Sequence, residues 1–219
     1  MSYILNIETA TKNCSVSIAK NGTTILCKEI SELGYSHAEK LHVFIEEIIN
    51  DVEITYKDLA AVAVSKGPGS YTGLRIGVST AKGLCYALDV PLIAIDTLAI
   101  LANKVKITDG LIIPMIDARR MEVYTAVFNS KNEIITDVKA EILTDNSFSN
   151  LEETIYFVGD SNEKAKTVLT KNNFIFLDGI IYPSSNEMSS ISMIKFQNND
   201  FEDVAYFEPY YLKDFMFAK

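Results

Sequence analysis

Five of the ten glycines in this chain fall between positions 67 and 83. The run Gly67-Pro68-Gly69-Ser70-Tyr71-Thr72-Gly73-Leu74-Arg75-Ile76-Gly77 follows an apolar stretch, Ala60 to Val64, and opens an amphipathic one, Leu74 to Leu88. That order spells a strand, a tight loop and a helix start. Glycine lets a backbone turn sharply and lets another group come close to it. The N–H groups at a helix start favour an anion. The loop therefore holds either a phosphate or a protein partner.

Two phosphate-loop patterns can be tested by spacing. A Walker loop needs G-x-x-x-x-G-K-[ST], and the residues from Gly67 onward contain no Lys-Ser or Lys-Thr pair at the required place. The dinucleotide fingerprint needs G-x-G-x-x-G. Gly67 and Gly69 fit it, but Thr72 stands third and Gly73 comes one late. Gly73, Gly77 and Ala81 recur at intervals of four, so they form a narrow face on the expected helix. Either a partner helix or the chain's own sheet can occupy that face.

The surrounding pattern is α/β. Tyr3–Ile7 and Ser15–Ala19 read as strands, Lys20-Asn21-Gly22 as a hairpin turn, and Thr23–Ile30 as the returning strand. Ser36-His37-Ala38-Glu39 has the form of a capping box. Leu41, Phe44, Ile45, Ile48, Ile49 and Val52 continue at helical spacing. After Pro91 a short strand, Leu92–Ile95, leads to a helix over 97–104. The layout then restarts. Leu111–Ile116 is a strand, Asp117-Ala118-Arg119-Arg120 a polar turn, Glu122–Phe128 a strand, and Glu133–Val138 its return. The offset of roughly 110 residues predicts an internal duplication into two lobes, 1–104 and 105–219. The second is shorter in helix, with strand Ile155–Val158 and helices over 162–169 and 186–196.

Composition narrows the function classes. A net charge of −9 argues against broad contact with nucleic acid. Three separated cysteines without a C-x-x-C read as reduced thiols. No apolar segment has the length of a membrane span, and no signal-peptide pattern opens the chain; a cytoplasmic protein is expected. The only histidines, His37 and His42, lie five apart and diverge by about 140° on a helix, so no metal centre is expected. No G-x-S-x-G elbow is present, and Ser70 has no histidine companion in sequence. The 20 basic residues include only three arginines, Arg75, Arg119 and Arg120. All three sit in the glycine run or the Asp117 turn, where a planar multi-donor head is hard to replace. Glu8-Thr9 and Asp117-Ala118-Arg119 close the first strand of each half. In a two-lobed ATPase such carboxylates face the interlobe cleft and orient a water or hydrated metal; otherwise they hold local N–H groups in their own turns.

The glycine run, followed by Ala81-Lys82-Gly83-Leu84, resembles the signature of the TsaB (YeaZ) family. Asp117-Ala118-Arg119 with Glu122-Val123-Tyr124, Ile7-Glu8-Thr9-Ala10 with Cys14-Ser15-Val16, and Pro209-Tyr210-Tyr211-Leu212-Lys213 resemble its other blocks. The resemblance implies an actin-like ATPase fold (ASKHA, ribonuclease H-like) of two duplicated lobes, the second reduced. It implies a non-catalytic partner for the paralogue TsaD in making threonylcarbamoyl-adenosine on tRNA. A TsaE-like ATPase would join them, and tRNA would be met only through the complex. The older glycoprotease label is not carried over. Helices over 36–52 and 72–88 would pair with the same helices of TsaD or of a second copy, through His37, Leu41, Leu74, Gly77, Val78 and Ala81. Gly67, Gly69, Ser70, Tyr71, Thr72, Gly73 and Arg75 would build the loop or touch a nucleotide. No intrinsic cofactor is expected; weak or interface-bound ATP or ADP is left open. Glu8 stands where aspartate is usual, Arg120 adds an arginine, and Lys213 replaces one. The alternative from another class is an actin-like ATPase or kinase acting alone through Glu8, Asp117 and the glycine loop.

Overall fold

The computed structural model describes residues 2–31 and 37–213. It divides into two units, one formed by residues 1–97 with 184–219 and the other by residues 98–183. The expected boundary at 104/105 thus differs from the observed division in two ways. The helix after the first sheet belongs to the second unit from Leu98 onward, and the chain returns to the first unit at Ser184. The expected capping-box residue Ser36 lies outside the described residues.

The first unit is built on a five-stranded sheet in the order β3-β2-β1-β4-β5. Its strands are β1 (Tyr3–Glu8), β2 (Cys14–Lys20), β3 (Thr23–Ile30), β4 (Leu59–Gly67) and β5 (Leu92–Asp96). β1 pairs antiparallel with β2 and parallel with β4, and β4 runs parallel to β5. Two-sided burial explains why β1 and β4 read as nearly unbroken apolar runs, whereas edge strand β3 alternates. The β2–β3 hairpin turns at Asn21 and Gly22, both at positive φ (51° and 84°), as a two-residue turn of matching twist requires. Helices α1 (His37–Asp51) and α2 (Tyr71–Leu88) pack their apolar stripes on this sheet.

The chain after residue 183 joins the first unit because β1 and β2 carry buried polar side chains that need partners. Ser15 Oγ accepts the Ser185 N–H at 2.8 Å, and Ser17 Oγ donates to the Ser185 carbonyl at 2.8 Å. Asn6 Nδ2 donates to Ser189 Oγ at 3.5 Å.

The second unit repeats the plan. Its sheet runs β11-β10-β6-β7-β9, with the two-residue β8 (Phe128–Asn129) also on β6. The strands are β6 (Leu111–Asp117), β7 (Glu122–Thr125), β9 (Lys139–Ile142), β10 (Ile155–Val158) and β11 (Phe174–Phe176). The central strand again has an antiparallel hairpin partner on one side and two parallel strands on the other. This unit also holds most of α3 (Thr97–Ala102) and the single-turn α4 (Asn162–Ala165). Helix α5 (Met188–Gln197) lies in the first unit. Phe157 anchors the second core, stacked on Phe176 at 4.9 Å and edge-on to Phe174 at 5.2 Å.

Two sequence expectations shift here. The return expected over 133–138 pairs only briefly, with Ile134 bridging Phe128 and Ile135 N–H donating to Val127 O at 2.7 Å, and the longer return strand on β7 is Lys139–Ile142. The helix expected over 162–169 stops at Ala165 and continues as tight turns, with Val168 N–H donating back to Ala165 O at 3.1 Å.

Candidate functional site

The glycine run forms the β4–α2 connection. Ser70 caps α2, its Oγ accepting the Gly73 N–H at 3.3 Å. Its own N–H donates to Ala10 O at 2.7 Å, which ties the loop to the β1–β2 turn. Gly67 has φ 114°, a backbone shape other residues rarely take.

The narrow glycine face is occupied from within the chain. A Cβ on Gly69 would strike the Ala10 carbonyl, one on Gly73 the Thr9 carbonyl, and one on Gly77 the Thr9 hydroxyl, each inside the 3.0 Å that real Cβ atoms keep. Thr9 is fully buried, and its Oγ1 donates to Gly73 O at 2.8 Å. These glycines let α2 lie on its own β1–β2 turn. The Gly77 face is thus filled by Thr9 of the same chain. Leu41, Leu74, Val78 and Ala81, expected on the partner face, are each at most 3% exposed within the first unit. The amphipathic pattern that marked them was the core stripe, which the sheet had already claimed. His37 is half-buried, and its Nε2 donates to Thr11 O at 2.8 Å.

What α2 leaves open is a different stripe. Thr72, Ser79, Gly83, Tyr86 and Ala87 are exposed, and a Cβ on Gly83 would meet nothing within 4 Å. Tyr86 is 86% exposed and Val43 on α1 43%. Between the two helices runs a groove of about 550 Å³, lined by His42, Ile45, Glu46, Tyr56, Ser79, Thr80, Gly83 and Leu84. Sequence reading missed this stripe, yet a signal was there: Ser79, Thr80 and Gly83 lie across the helix from the buried side, Leu74, Val78, Ala81 and Cys85.

A third stripe of α2 carries Tyr71, Arg75 and Lys82. Arg75 stacks its guanidinium 4.1 Å from the Tyr71 ring centre and donates from Nε to the Tyr211 hydroxyl at 3.2 Å. That hydrogen bond is the main cause raising the Arg75 pKa. Arg75 thus braces the loop by stacking.

The paired carboxylates serve their own turns. Glu8 is fully buried, and its Oε1 accepts the Ala10 N–H at 2.6 Å. In the second unit the Asp117 carboxylate pairs with Lys164, whose Nζ also donates to the carbonyls of Arg120 at 3.0 Å and Glu122 at 2.6 Å. Asp117 Oδ1 accepts the Arg119 N–H at 3.3 Å, and Arg119 and Arg120 both take positive φ, 73° and 52°. Sequence reading missed Lys164, which is brought there by α4, 44 residues from Arg120. Among the described residues no group of three or more His, Cys, Asp or Glu is placed to hold a metal. Burial pushes the Cys14 and Cys85 thiols up to about 12, so both stay protonated.

The twin sheet orders define an α/β protein of the duplicated actin-like ATPase class. Comparison with known proteins narrows this. Residues 31–214 match the family model "TsaD: tRNA N6-adenosine threonylcarbamoyltransferase". TsaB of Buchnera aphidicola (strain APS) is 30% identical over 214 residues, covering 91% of this chain and 92% of that protein. TsaB of Bacillus subtilis is 37% identical over 135 residues, 62% of this chain and 58% of that protein, so this alignment spans less than two thirds of the relative. The structure of YeaZ from Pseudomonas aeruginosa superposes with a TM-score of 0.84 at 22% identity, covering 97% of this chain and all (100%) of that one. The chain belongs to the TsaB (YeaZ) family of tRNA threonylcarbamoyladenosine biosynthesis proteins, which shares its domain with the transferase TsaD. No helix among the described residues is long and apolar enough to cross a membrane.

Proposed function

We propose that this chain is the non-catalytic partner subunit that TsaD requires for tRNA threonylcarbamoylation, and that it docks through the groove between α1 and α2. The observation that carries the reading is the open stripe Ser79-Thr80-Gly83 beside exposed Tyr86. Small residues let a second helix approach closely, and an exposed tyrosine is a common anchor at an interface. The same groove serves a second copy of the chain, so homodimer and TsaD heterodimer exclude each other. A TsaE-like ATPase and tRNA join the heterodimer in the cytoplasm, and any ATP or ADP binds weakly or at that interface.

The alternative of a self-sufficient ATPase or kinase is less well supported. The carboxylates it would use are engaged in turn-closing contacts: Glu8 with the Ala10 N–H, and Asp117 with Lys164. Reconstitution tests the proposal. TsaD with threonylcarbamoyl-adenylate and tRNA should modify tRNA only when this chain is added. Gly83→Leu should abolish TsaD co-elution and modification while keeping the chain folded, with melting at or slightly above that of wild type. Full modification without the chain would refute the subunit role, and a Gly83→Leu variant that still pairs would refute the groove.

A further inference from the structure

The segment from Glu202 to Tyr211 crosses the first unit as a strap along α2. It starts at the sheet edge, where Glu202 N–H donates to Leu92 O at 2.9 Å. Val204 and Phe207 rest half-buried on the core. Lys82 Nζ then grips the strap by two carbonyls, Ala205 O at 3.1 Å and Phe207 O at 2.8 Å. Further on, Tyr210 N–H donates to Lys66 O at 2.7 Å. Here a Cβ on Gly67 would lie 2.6 Å from Tyr210 O, so only glycine lets the strap pass. Tyr211 closes the path, its ring 5.0 Å from Tyr71 and its hydroxyl bonded to Arg75.

These contacts fall on one stripe of α2, at positions 71, 75 and 82. On a helix of about 3.6 residues per turn that stripe lies between the core side and the side facing the groove. The helix is thus pinned on a flank about 130° around from the groove-lining residues Ser79, Thr80, Gly83 and Leu84. The strap itself buries little: Tyr206, Tyr210 and Tyr211 are 84%, 43% and 36% exposed. Segments with few buried apolar contacts open at low free-energy cost while the core stays folded. A strap of this kind can let go without unfolding the sheet.

We propose that the strap is a releasable clamp that fixes the position of α2 and, through it, the shape of the α1–α2 groove. The first consequence, ordering of α2, stands by itself. The second, tuning of docking, rests on the groove being the docking seat.

Hydrogen exchange on the full chain tests the clamp. The Tyr211→Ala/Phe207→Ala variant changes only the strap, and Tyr206→Ala is the control on an exposed strap residue. Amides of α2 from Leu74 to Lys82 should exchange at least tenfold faster in the double variant, with β1 and β4 unchanged and the control like wild type. Unchanged α2 protection, or an equal effect in the control, overturns the clamp. Should β1 and β4 also loosen, Arg75→Lys decides: it keeps charge and helix propensity but loses the planar stack on Tyr71. An α2-restricted acceleration then supports the clamp, and none overturns it. Affinity for TsaD should fall severalfold in the same variants; loosened α2 with unchanged affinity overturns the link to the groove. A wild-type chain that fails to bind TsaD removes the docking reading, while exchange still judges the clamp.

Discussion

Gly77 and Gly83 occupy the same helix, yet their alanine variants should move stability in opposite directions. On propensity alone each Gly→Ala change gains about 1 kcal/mol. At Gly83 nothing opposes it, since a Cβ meets open space. That variant should be stabilised by about 0.5–1 kcal/mol. At Gly77 the new Cβ strikes the hydroxyl of Thr9, which is fully buried and cannot swing out. Overpacking of this kind costs about 1–3 kcal/mol. Displacing Thr9 also breaks its 2.8 Å bond to Gly73 O, a further loss of about 1 kcal/mol. The net is destabilisation by about 1–3 kcal/mol, and the two variants should differ by about 1.5–4 kcal/mol. Urea denaturation reads this directly as a shift in midpoint at constant slope. A double-mutant cycle sharpens the test. Thr9→Ala should rescue Gly77→Ala, because the obstacle is a side chain. It should not rescue Gly73→Ala, whose obstacle is the Thr9 backbone carbonyl. A Gly77→Ala variant as stable as wild type, or one equally unstable with and without Thr9→Ala, would refute the packing argument.

Two further outcomes are expected. Lys164→Met removes the donor shared by the Asp117 carboxylate and the Arg120 and Glu122 carbonyls; it should cost about 1–3 kcal/mol and speed exchange of the 118–122 amides, and a thermal melt identical to wild type would contradict the assignment. Hydrogen bonds from the Thr55 N–H and hydroxyl hold the Asp58 carboxyl below its ordinary value, and the Lys166 ammonium does the same for Asp178. A lowered folded-state pKa means the stabilisation is complete above the unfolded value of about 3.9 and fades as pH falls through the folded one. Asp58→Asn and Asp178→Asn should therefore be less stable than wild type at neutral pH, with the gap closing below about pH 4, which urea melts across pH would reveal.

Much of the fold was legible because local chemistry agreed with tertiary need. Asn21-Gly22 could only turn a hairpin, and the two-sided apolar runs of β1 and β4 could only be buried. The restart at Leu111 was visible as pattern, and the matching sheet orders followed from it. The second unit's shorter elements were harder to read. Lys139–Ile142 pairs with β7 after a return that bridges Phe128 only at Ile134, and no local signal says where such a return rejoins the sheet. The candidate site was read less well than the fold. Glycines four apart announce a close approach but do not name what approaches. Thr9 supplies the answer from 64 residues away.

By itself, the sequence determined that a tight strand-to-helix turn stands at Gly67–Gly73, that the chain is a duplicated α/β protein, and that its motifs are those of the TsaB family. Those features are set by backbone conformation, hydrophobic period and residue identity, all of which are local. Only the tertiary structure decided which face of α2 is spent on the core, which is strapped by Tyr211, and which remains open at Ser79, Thr80 and Gly83. Every helix has several faces, and their uses depend on which distant segments fold against them.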